Sequence, residues 1–234
     1  MNKELGIIIV TYNSSNYIKN CLESIPKDFK VIVVDNNSKD NTVKIAKTFS
    51  NVTIIKNNKN LGYGKACNIG LEKLGLKLCL LLNPDIVITN KAIVDMLCYF
   101  KKSNIDILAP KLIGNNSEAL LSCHRFPTFK ALIGRRLGIF SNDVNKYLMK
   151  DYDHKSIKRV NWVSGACMMF ESFLRFDERF FLYFEDVDFC QGRKVVYNPQ
   201  ISVKHVARRE SVKSLWLFLV HVWSGFKFFV KNLM

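Results

Sequence analysis

Short uninterrupted apolar runs recur along the first third of the chain. Leu5–Val10 (LGIIIV), Val31–Val34 (VIVV), Val52–Ile55 and Leu78–Leu82 are built almost wholly of Ile, Val and Leu. Runs of this kind read as strands buried on both faces, as in parallel sheets. Between them the period changes. Ser15–Ile25 places Tyr17, Ile18, Cys21, Leu22 and Ile25 on one side. Lys39–Phe49 does the same with Val43, Ala46 and Phe49, and Tyr63–Leu74 follows a glycine turn. These are helical spacings. The order predicts an α/β protein with an open, doubly wound, mostly parallel sheet flanked by helices. Such sheets bind ligands outside the carboxyl ends of their strands.

Further on, Lys91–Lys102 predicts an amphipathic helix, Ile107–Ile113 an extended segment and Gly114–Leu120 a turn. Ser122–Asp153 is basic and mixed in pattern. Arg159–Phe170 predicts one extended apolar segment, and Lys194–Tyr197 and Ile201–Val206 two short strands. The tail, 211–234, keeps Leu215, Leu219, Val222, Trp223, Phe226 and Phe229 on helical spacing, broken by Lys213, His221, Lys227 and Lys231. Its longest stretch without Lys or Arg, Ser214–Phe226, has thirteen residues, and a spanning helix needs about twenty. The pattern predicts a basic amphipathic C-terminal helix lying at a membrane interface. The competing reading is a helix packed onto the sheet.

Composition narrows the class. The chain has 234 residues, 48% of them hydrophobic and 24% charged, the ordinary globular mix. Thirty-five Lys and Arg against twenty Asp and Glu leave a net charge of +15. That balance calls for an anionic partner: nucleic acid, an acidic membrane surface or a phosphorylated substrate. From Gly192 onward there are eight Lys or Arg and one Glu. The seven cysteines are scattered with no C-x-x-C pair, which reads as reduced, buried thiols of a cytoplasmic protein. The N-terminus runs into the first strand without a long apolar leader.

Each early strand is followed by a polar loop. Thr11-Tyr12-Asn13-Ser14 comes after the first, and Asp35-Asn36-Asn37-Ser38 after the second. Asn57-Asn58 and Asn60-Leu61-Gly62 come after the third, and Asn83-Pro84-Asp85 after the fourth. Turn chemistry alone would explain any one of them; four converging on one sheet edge make a pocket. The first loop has no glycine, and there is no G-x-G-x-x-G or Walker motif, so NAD and ATP are disfavoured. A carboxylate at the tip of strand two can bind a pyrimidine or ribose. One at strand four can hold a divalent cation against a diphosphate. That combination suits a nucleotide-diphosphate sugar. Behind the aromatic run Phe180–Phe184, Glu185, Asp186 and Asp188 crowd three carboxylates into four positions. Burial and crowding raise a carboxylate's pKa and make a general base, although acids also suit a helix N-terminus. No helix-turn-helix or RNA-binding signature is visible, so a nucleic-acid partner is not expected.

In this order the segments resemble the family 2 inverting glycosyltransferases of the GT-A fold. They are Val10–Asn13, Val34–Ser38, Asn60–Gly64, Leu82–Asp85, Trp162–Ala166, and Phe176–Phe181 followed by Glu185–Asp188. Within the family the likeness is to bacterial rhamnosyltransferase-type enzymes of O-antigen and cell-wall polysaccharide assembly. The resemblance implies a glycosyltransferase domain over 1–210, with a nucleotide-sugar half (1–110) and an acceptor and catalytic half (111–210). It implies nucleotide binding by Thr11, Tyr12, Asn13, Asp35, Asn37, Asn60 and Gly62. Trp162, Ser164, Gly165, Ala166, Asp188 and Arg125 would form the donor and acceptor site. Asp85 matches the metal carboxylate of a D-x-D motif whose first acid is Asn83 here, and His205 would complete a Mg²⁺ or Mn²⁺ site. Asp186 matches the base, with Glu185 beside it.

Two segments are shorter than the family pattern, one between Phe170 and Phe176 and one between Phe189 and Val195. The second removes part of the helix that carries the base. The implied activity is metal-dependent transfer of a sugar, with rhamnose the first choice, from an NDP-sugar to a lipid-linked saccharide acceptor. It would occur in the cytoplasm, peripherally on the inner face of the membrane and against its anionic surface. The alternative is a catalytically impaired relative that binds NDP-sugars or acts as a scaffold.

Overall fold

The computed structural model describes residues 4–206 and 215–233. Arg208, Arg209, Ser211 and Lys213, which the sequence places in or beside the basic tail, lie outside the described residues. The first part alternates β1 (Leu5–Thr11), α1 (Ile18–Ser24), β2 (Lys30–Asp35), α2 (Thr42–Ala46), β3 (Val52–Lys56), α3 (Tyr63–Leu74) and β4 (Leu78–Leu82). Next come β5 (Ile86–Val87), α4 (Asn90–Lys102), β6 (Ile107–Ile113), β7 (Ala119–Leu120), β8 (Cys123–His124), α5 (Phe129–Leu137) and α6 (Ser141–Tyr147). The last elements are β9 (Lys158–Val160), β10 (Trp162–Val163), β11 (Cys167–Glu171), α7 (Glu185–Cys190), β12 (Val195–His205) and α8 (Leu215–Leu233).

The main sheet runs β3-β2-β1-β4-β11-β6-β12-β5. β1, β2, β3 and β4 are mutually parallel, as are β6 and β12. β11 lies antiparallel between β4 and β6, and β5 closes the far edge antiparallel to β12. Alternate residues of β1 feed two cores: Ile8 and Val10 pack on one face, Ile7 and Ile9 on the other. Because both faces are covered, the strand carries no polar alternation. Six of the seven cysteines are buried, and all seven are free.

Several boundaries differ from the sequence reading, each for a local reason. α1 starts at Ile18 rather than Ser15, because the Ser14 carbonyl closes a turn by accepting from the Tyr17 and Ile18 N–H groups. α2 shrinks to Thr42–Ala46, since Asp40 instead accepts from the Ser15 and Thr42 N–H groups. The expected single segment Arg159–Phe170 is three strands. β9 pairs with β12, β10 with β8, and β11 enters the sheet after the Ser164–Ala166 turn. The two expected strands near the end are one, β12, with its register shifted between Asn198 and Ser202. Pro199 lies in that shift, where it has no N–H to contribute to a ladder. Gly114–Leu120 does turn, and it closes the β6–β7 hairpin.

Candidate active site

The ends of β1 and β2 lie side by side, so Thr11 stands opposite Asp35. The Thr11 hydroxyl donates to Asp35 Oδ1 at 3.0 Å, and the Ser38 N–H donates to Oδ2 at 2.9 Å. Asp35 is completely buried, and its carboxylate ties the two loops together. Asn13 and Asn37 adopt left-handed backbone, with φ of 50° and 66°, a region that Asn tolerates better than most residues. Asn13 accepts from the Lys39 N–H through Oδ1, and Asn37 Nδ2 donates to the Asn58 carbonyl. Asn36 donates to the Gly62 carbonyl, and Asn60 Oδ1 accepts from the Gly62 N–H. Gly62 has φ +88°, and a Cβ there would fall 2.3 Å from the Phe181 carbonyl oxygen. No other residue fits that approach. Tyr12 projects its ring outward, 52% exposed. Thr11, Tyr12, Asn13, Asp35, Asn37, Asn60 and Gly62 thus share one edge. Tyr12, Asn13 and Asn37 line its open side, and Asp35 lies beneath.

At the end of β4, the Asn83 N–H donates to the Ala166 carbonyl at 2.8 Å, which fixes the Asn83–Asp85 loop to the Ser164–Ala166 turn. The phenol of Tyr63 shares its hydrogen between Asn83 Oδ1 (3.0 Å) and the Gly165 carbonyl (2.9 Å). Burial and the surrounding Cys67, Glu185, Asp186 and Asp85 push that phenol's pKa well up, so it remains a donor. Tyr63 was hidden in the sequence as part of a glycine turn; its only signal is its place between Gly62 and Gly64.

Asp85 and His205 meet across 120 residues. His205 ends β12 opposite Ile86, and its Nε2 lies 3.0 Å from Asp85 Oδ2. Asp85 Oδ1 is buried and has no hydrogen-bond partner among the described residues. A buried carboxylate oxygen left open beside an imidazole is a donor set that suits Mg²⁺ or Mn²⁺. No group of three or more His, Cys, Asp or Glu gathers among the described residues. The remaining ligands would therefore be phosphate oxygens and water, as is usual for Mg²⁺.

The third component comes in with α7. Tyr183 and Phe184 both have positive φ, 66° and 65°, a strained arrangement for aromatic residues that turns the chain sharply into the helix. Asn68 of α3 grips the Phe176 N–H and carbonyl, and Tyr63 N–H donates to the Phe181 carbonyl, so α3 holds this whole segment. Asp186 then accepts from the Gly165 N–H (3.2 Å) through Oδ2 and from the Val187 N–H (2.9 Å) through Oδ1. Burial pushes its pKa up to about 6, against the pull of those N–H groups. Glu185 is buried beside it and pushed well above the usual carboxylate range by burial and then by the Asp186 charge. The two carboxyl groups are neighbours, so each proton bound by one eases ionisation of the other. α7 is only six residues long, and Asp186 lies in its first turn.

Three residues expected at the donor and acceptor subsite are turned elsewhere. Asp188 is buried and faces Lys231 of α8, with Nζ at 2.6 Å. Trp162 donates its indole N–H to the Arg125 carbonyl and stacks against His124 in the core. The Arg125 fork is taken by Asp151, at 2.7 and 3.0 Å. The structure does bring Gly165, Ala166, Asp85, His205, Glu185 and Asp186 together, with Tyr63 at the centre. Ser164 starts the same turn, its N–H donating to the Ser122 carbonyl.

A parallel sheet edge with polar loops, an Asp–His pair and a raised Asp on α7 held against the turn before a reversed strand is a GT-A-like arrangement. The chain belongs to glycosyl transferase family 2, whose pattern matches residues 6–201. It is 26% identical to the rhamnosyltransferase WbbL of Escherichia coli K12, covering 97% of this chain and 92% of that protein. It is equally similar, at 26%, to the N-acetylglucosaminyl-diphospho-decaprenol L-rhamnosyltransferase of Mycobacterium tuberculosis, over 88% and 76%. The low-salt glycan biosynthesis hexosyltransferase Agl10 of Haloferax volcanii is 29% identical over 81% of this chain, which spans 61% of its length. Among solved structures, Staphylococcus aureus TarS 1-349 in complex with UDP superposes with a TM-score of 0.60 at 19% identity, over 87% of this chain and 60% of that one. The mannosyltransferase PcManGT of Pyrobaculum calidifontis, with GDP-Man and Mn²⁺, gives 0.60 at 16%, over 88% and 58%.

Proposed function

We propose that the chain is an inverting glycosyltransferase that moves a sugar, best taken as rhamnose, from an NDP-sugar to a saccharide on a polyprenyl diphosphate. The observation that carries this is the position of Asp186. Its carboxylate is raised toward neutrality and held on the Gly165 turn, which Tyr63 and Asn83 tie to the Asp85–His205 pair. An acceptor hydroxyl attacks the anomeric carbon from the face opposite the nucleotide, and Asp186 takes its proton; a single displacement inverts the centre. A divalent cation, when bound by Asp85 and His205, would neutralise the departing diphosphate. Rhamnose is favoured by the names of the relatives, and a lipid-linked acceptor by that of the mycobacterial one. The test is transfer from dTDP-rhamnose to an N-acetylglucosaminyl polyprenyl diphosphate, with the product anomer read by NMR. Retention of the donor's configuration would overturn the mechanism.

The metal assignment has its own test. Asp85→Ala should weaken donor binding by more than the roughly 10–100-fold typical of outer-shell metal partners, and should abolish the response to Mn²⁺. Equal donor affinity in EDTA and in Mn²⁺ for the parent protein would sink it.

The reading also places the protein on the anionic inner face of the cytoplasmic membrane. No described helix is long and apolar enough to cross a membrane. α8 has no acidic residue and exposes Leu215, Trp216, Leu219, Val222, Trp223 and Phe226 along one side. α5 adds exposed Phe129 and Leu137, and is joined to α8 by Phe129 against Phe229 and Arg136 over Phe218. Each large apolar side chain that enters lipid contributes about 2 kcal/mol. Replacing both Trp216 and Trp223 by Ala should therefore lower partitioning into vesicles containing anionic lipid more than about tenfold, with the fold unchanged by circular dichroism.

A further inference from the structure

Beyond the C-terminal end of α7, away from the base, a cavity of about 300 Å³ opens between the end of β8, β9 and the turn into β12. Arg125, Lys158, Arg159 and Arg193 line it. Two of these cations are fixed. Arg125 is clamped by Asp151 and donates to the Lys146 carbonyl at 2.7 Å. Arg193 lies over the Phe189 ring, 4.8 Å from its centroid, and donates to the Phe189 carbonyl. Lys158 sits over the Tyr152 ring at 4.6 Å, and Arg159 makes no ion pair among the described residues. Asp151 is the one carboxylate paired with any of the four among those residues.

Four like charges crowded into one concavity repel each other at every separation, and one carboxylate offsets only one of them. An anion in the cavity converts that repulsion into attraction. Arg193, held in advance over Phe189, and the exposed Lys158 and Arg159 can reach phosphate oxygens, while Arg125 adds charge with its fork kept on Asp151. We propose that this cavity binds a phosphate or diphosphate group distinct from that of the donor, and that it holds the phosphate end of the acceptor. The second half of the proposal rests on the lipid-linked acceptor reading. The spacing agrees with it. Asp186 and Cys190, a cavity-lining residue, are four positions apart on α7, which is about 6 Å of helical rise. That is close to the span of one pyranose ring from its reactive hydroxyl to its anomeric phosphate. Arg125, which the sequence grouped with the acceptor residues, belongs to this second place rather than to the turn beside Asp186.

The test uses the full chain and inorganic diphosphate, with EDTA present so that metal-assisted binding at Asp85 and His205 is silent. Calorimetric titration should show saturable binding that Asp85→Ala leaves intact. Lys158→Glu combined with Arg159→Glu, two exposed positions, should weaken it at least tenfold while UDP affinity in Mn²⁺ stays the same. In transfer assays the same double variant should raise the acceptor KM about tenfold or more with donor KM and kcat little changed. Diphosphate binding that is absent, or unaltered by the double reversal, overturns the cavity assignment whatever the acceptor proves to be. Diphosphate binding that is lost in the variant while the acceptor KM stays fixed overturns the acceptor half alone. Competition of diphosphate by phosphatidylglycerol vesicles, and not by neutral vesicles carrying a polyprenyl diphosphate, would assign the site to a lipid headgroup and overturn that half also.

Discussion

Asp186→Asn should lower kcat by about 10²–10⁴-fold, the usual contribution of a positioned general base, with donor affinity nearly unchanged. The amide keeps the shape and can still accept from one of the Gly165 and Val187 N–H groups, but it cannot take a proton. Near-normal turnover would move the base elsewhere. The parent protein should show an acid limb in kcat/KM centred near pH 6, because the carboxylate must be ionised to act and burial holds its pKa at about 6. The same shift has a stability consequence of known sign. Between the ordinary Asp value of 3.8 and about 6, the folded protein binds more protons at this position than the unfolded chain. This residue's contribution therefore falls as pH rises through that window and stays low above it. Asn carries no such loss. Relative to Asp186→Asn, the parent's melting temperature should fall as pH rises from 4 to 7.

Lys231→Met should destabilise the protein and slow it at the same time. Asp188 is buried, and Lys231 is its ion-pair partner at 2.6 Å, shared with Asp177 at 2.9 Å. Removing one member of a buried pair leaves an uncompensated charge, at a cost of about 3–5 kcal/mol when both are enclosed. Lys231 is 34% exposed, so solvent screening reduces this to about 2 kcal/mol. The loss should reach the site, because α8 grips the segment that delivers the base. Ser224 donates to the Leu182 carbonyl, Lys227 to the Arg179 carbonyl, and Gly225 packs on the Phe184 ring. Chemical denaturation and kcat should therefore fall together in Lys231→Met, and Lys231→Arg should restore most of both. A variant with parent-like stability would show that Asp188 finds another partner. Phe228 of the helix is buried in the core, as the competing reading of a packed helix expected, while the opposite face is open.

What could be read from the sequence follows from burial. β1, β2 and β4 are covered on both faces, so their apolar runs are unbroken, and the loops that directly follow them are almost wholly polar. Those two facts place the candidate ligand edge before any coordinates. The acidic cluster behaves differently. Which of Glu185, Asp186 and Asp188 meets substrate depends on the rotation of α7, and at 3.6 residues per turn neighbouring positions point about 100° apart. Asp186 turns towards Gly165, while Glu185 and Asp188 turn inward. Nothing in the order of three acids encodes that rotation; the packing of Phe189 against Phe176 does. Asp85 and His205 were joined in the sequence only through the family resemblance, and their meeting is a product of β5 pairing with β12. The basic stretch 122–153 was opaque because α5 and α6 are short and α5 leaves apolar residues exposed, which blurs the helical period.

One reversed strand has a consequence for how such proteins diversify. β1, β2 and β4 reach the ligand edge at their ends, so changes in their loops act on groups the parallel sheet already fixes in register. β11 runs the other way, and the turn that carries Gly165 therefore precedes its strand. Everything between β6 and β11 is threaded to that edge from outside the parallel half. Loop insertions add closure entropy only slowly with length, so this stretch can lengthen, shorten or exchange helices without shifting a single pair in β1, β2 or β4. The edge formed by β1, β2 and β4 can stay constant while the facing side is rewritten, a separation of inheritance from invention.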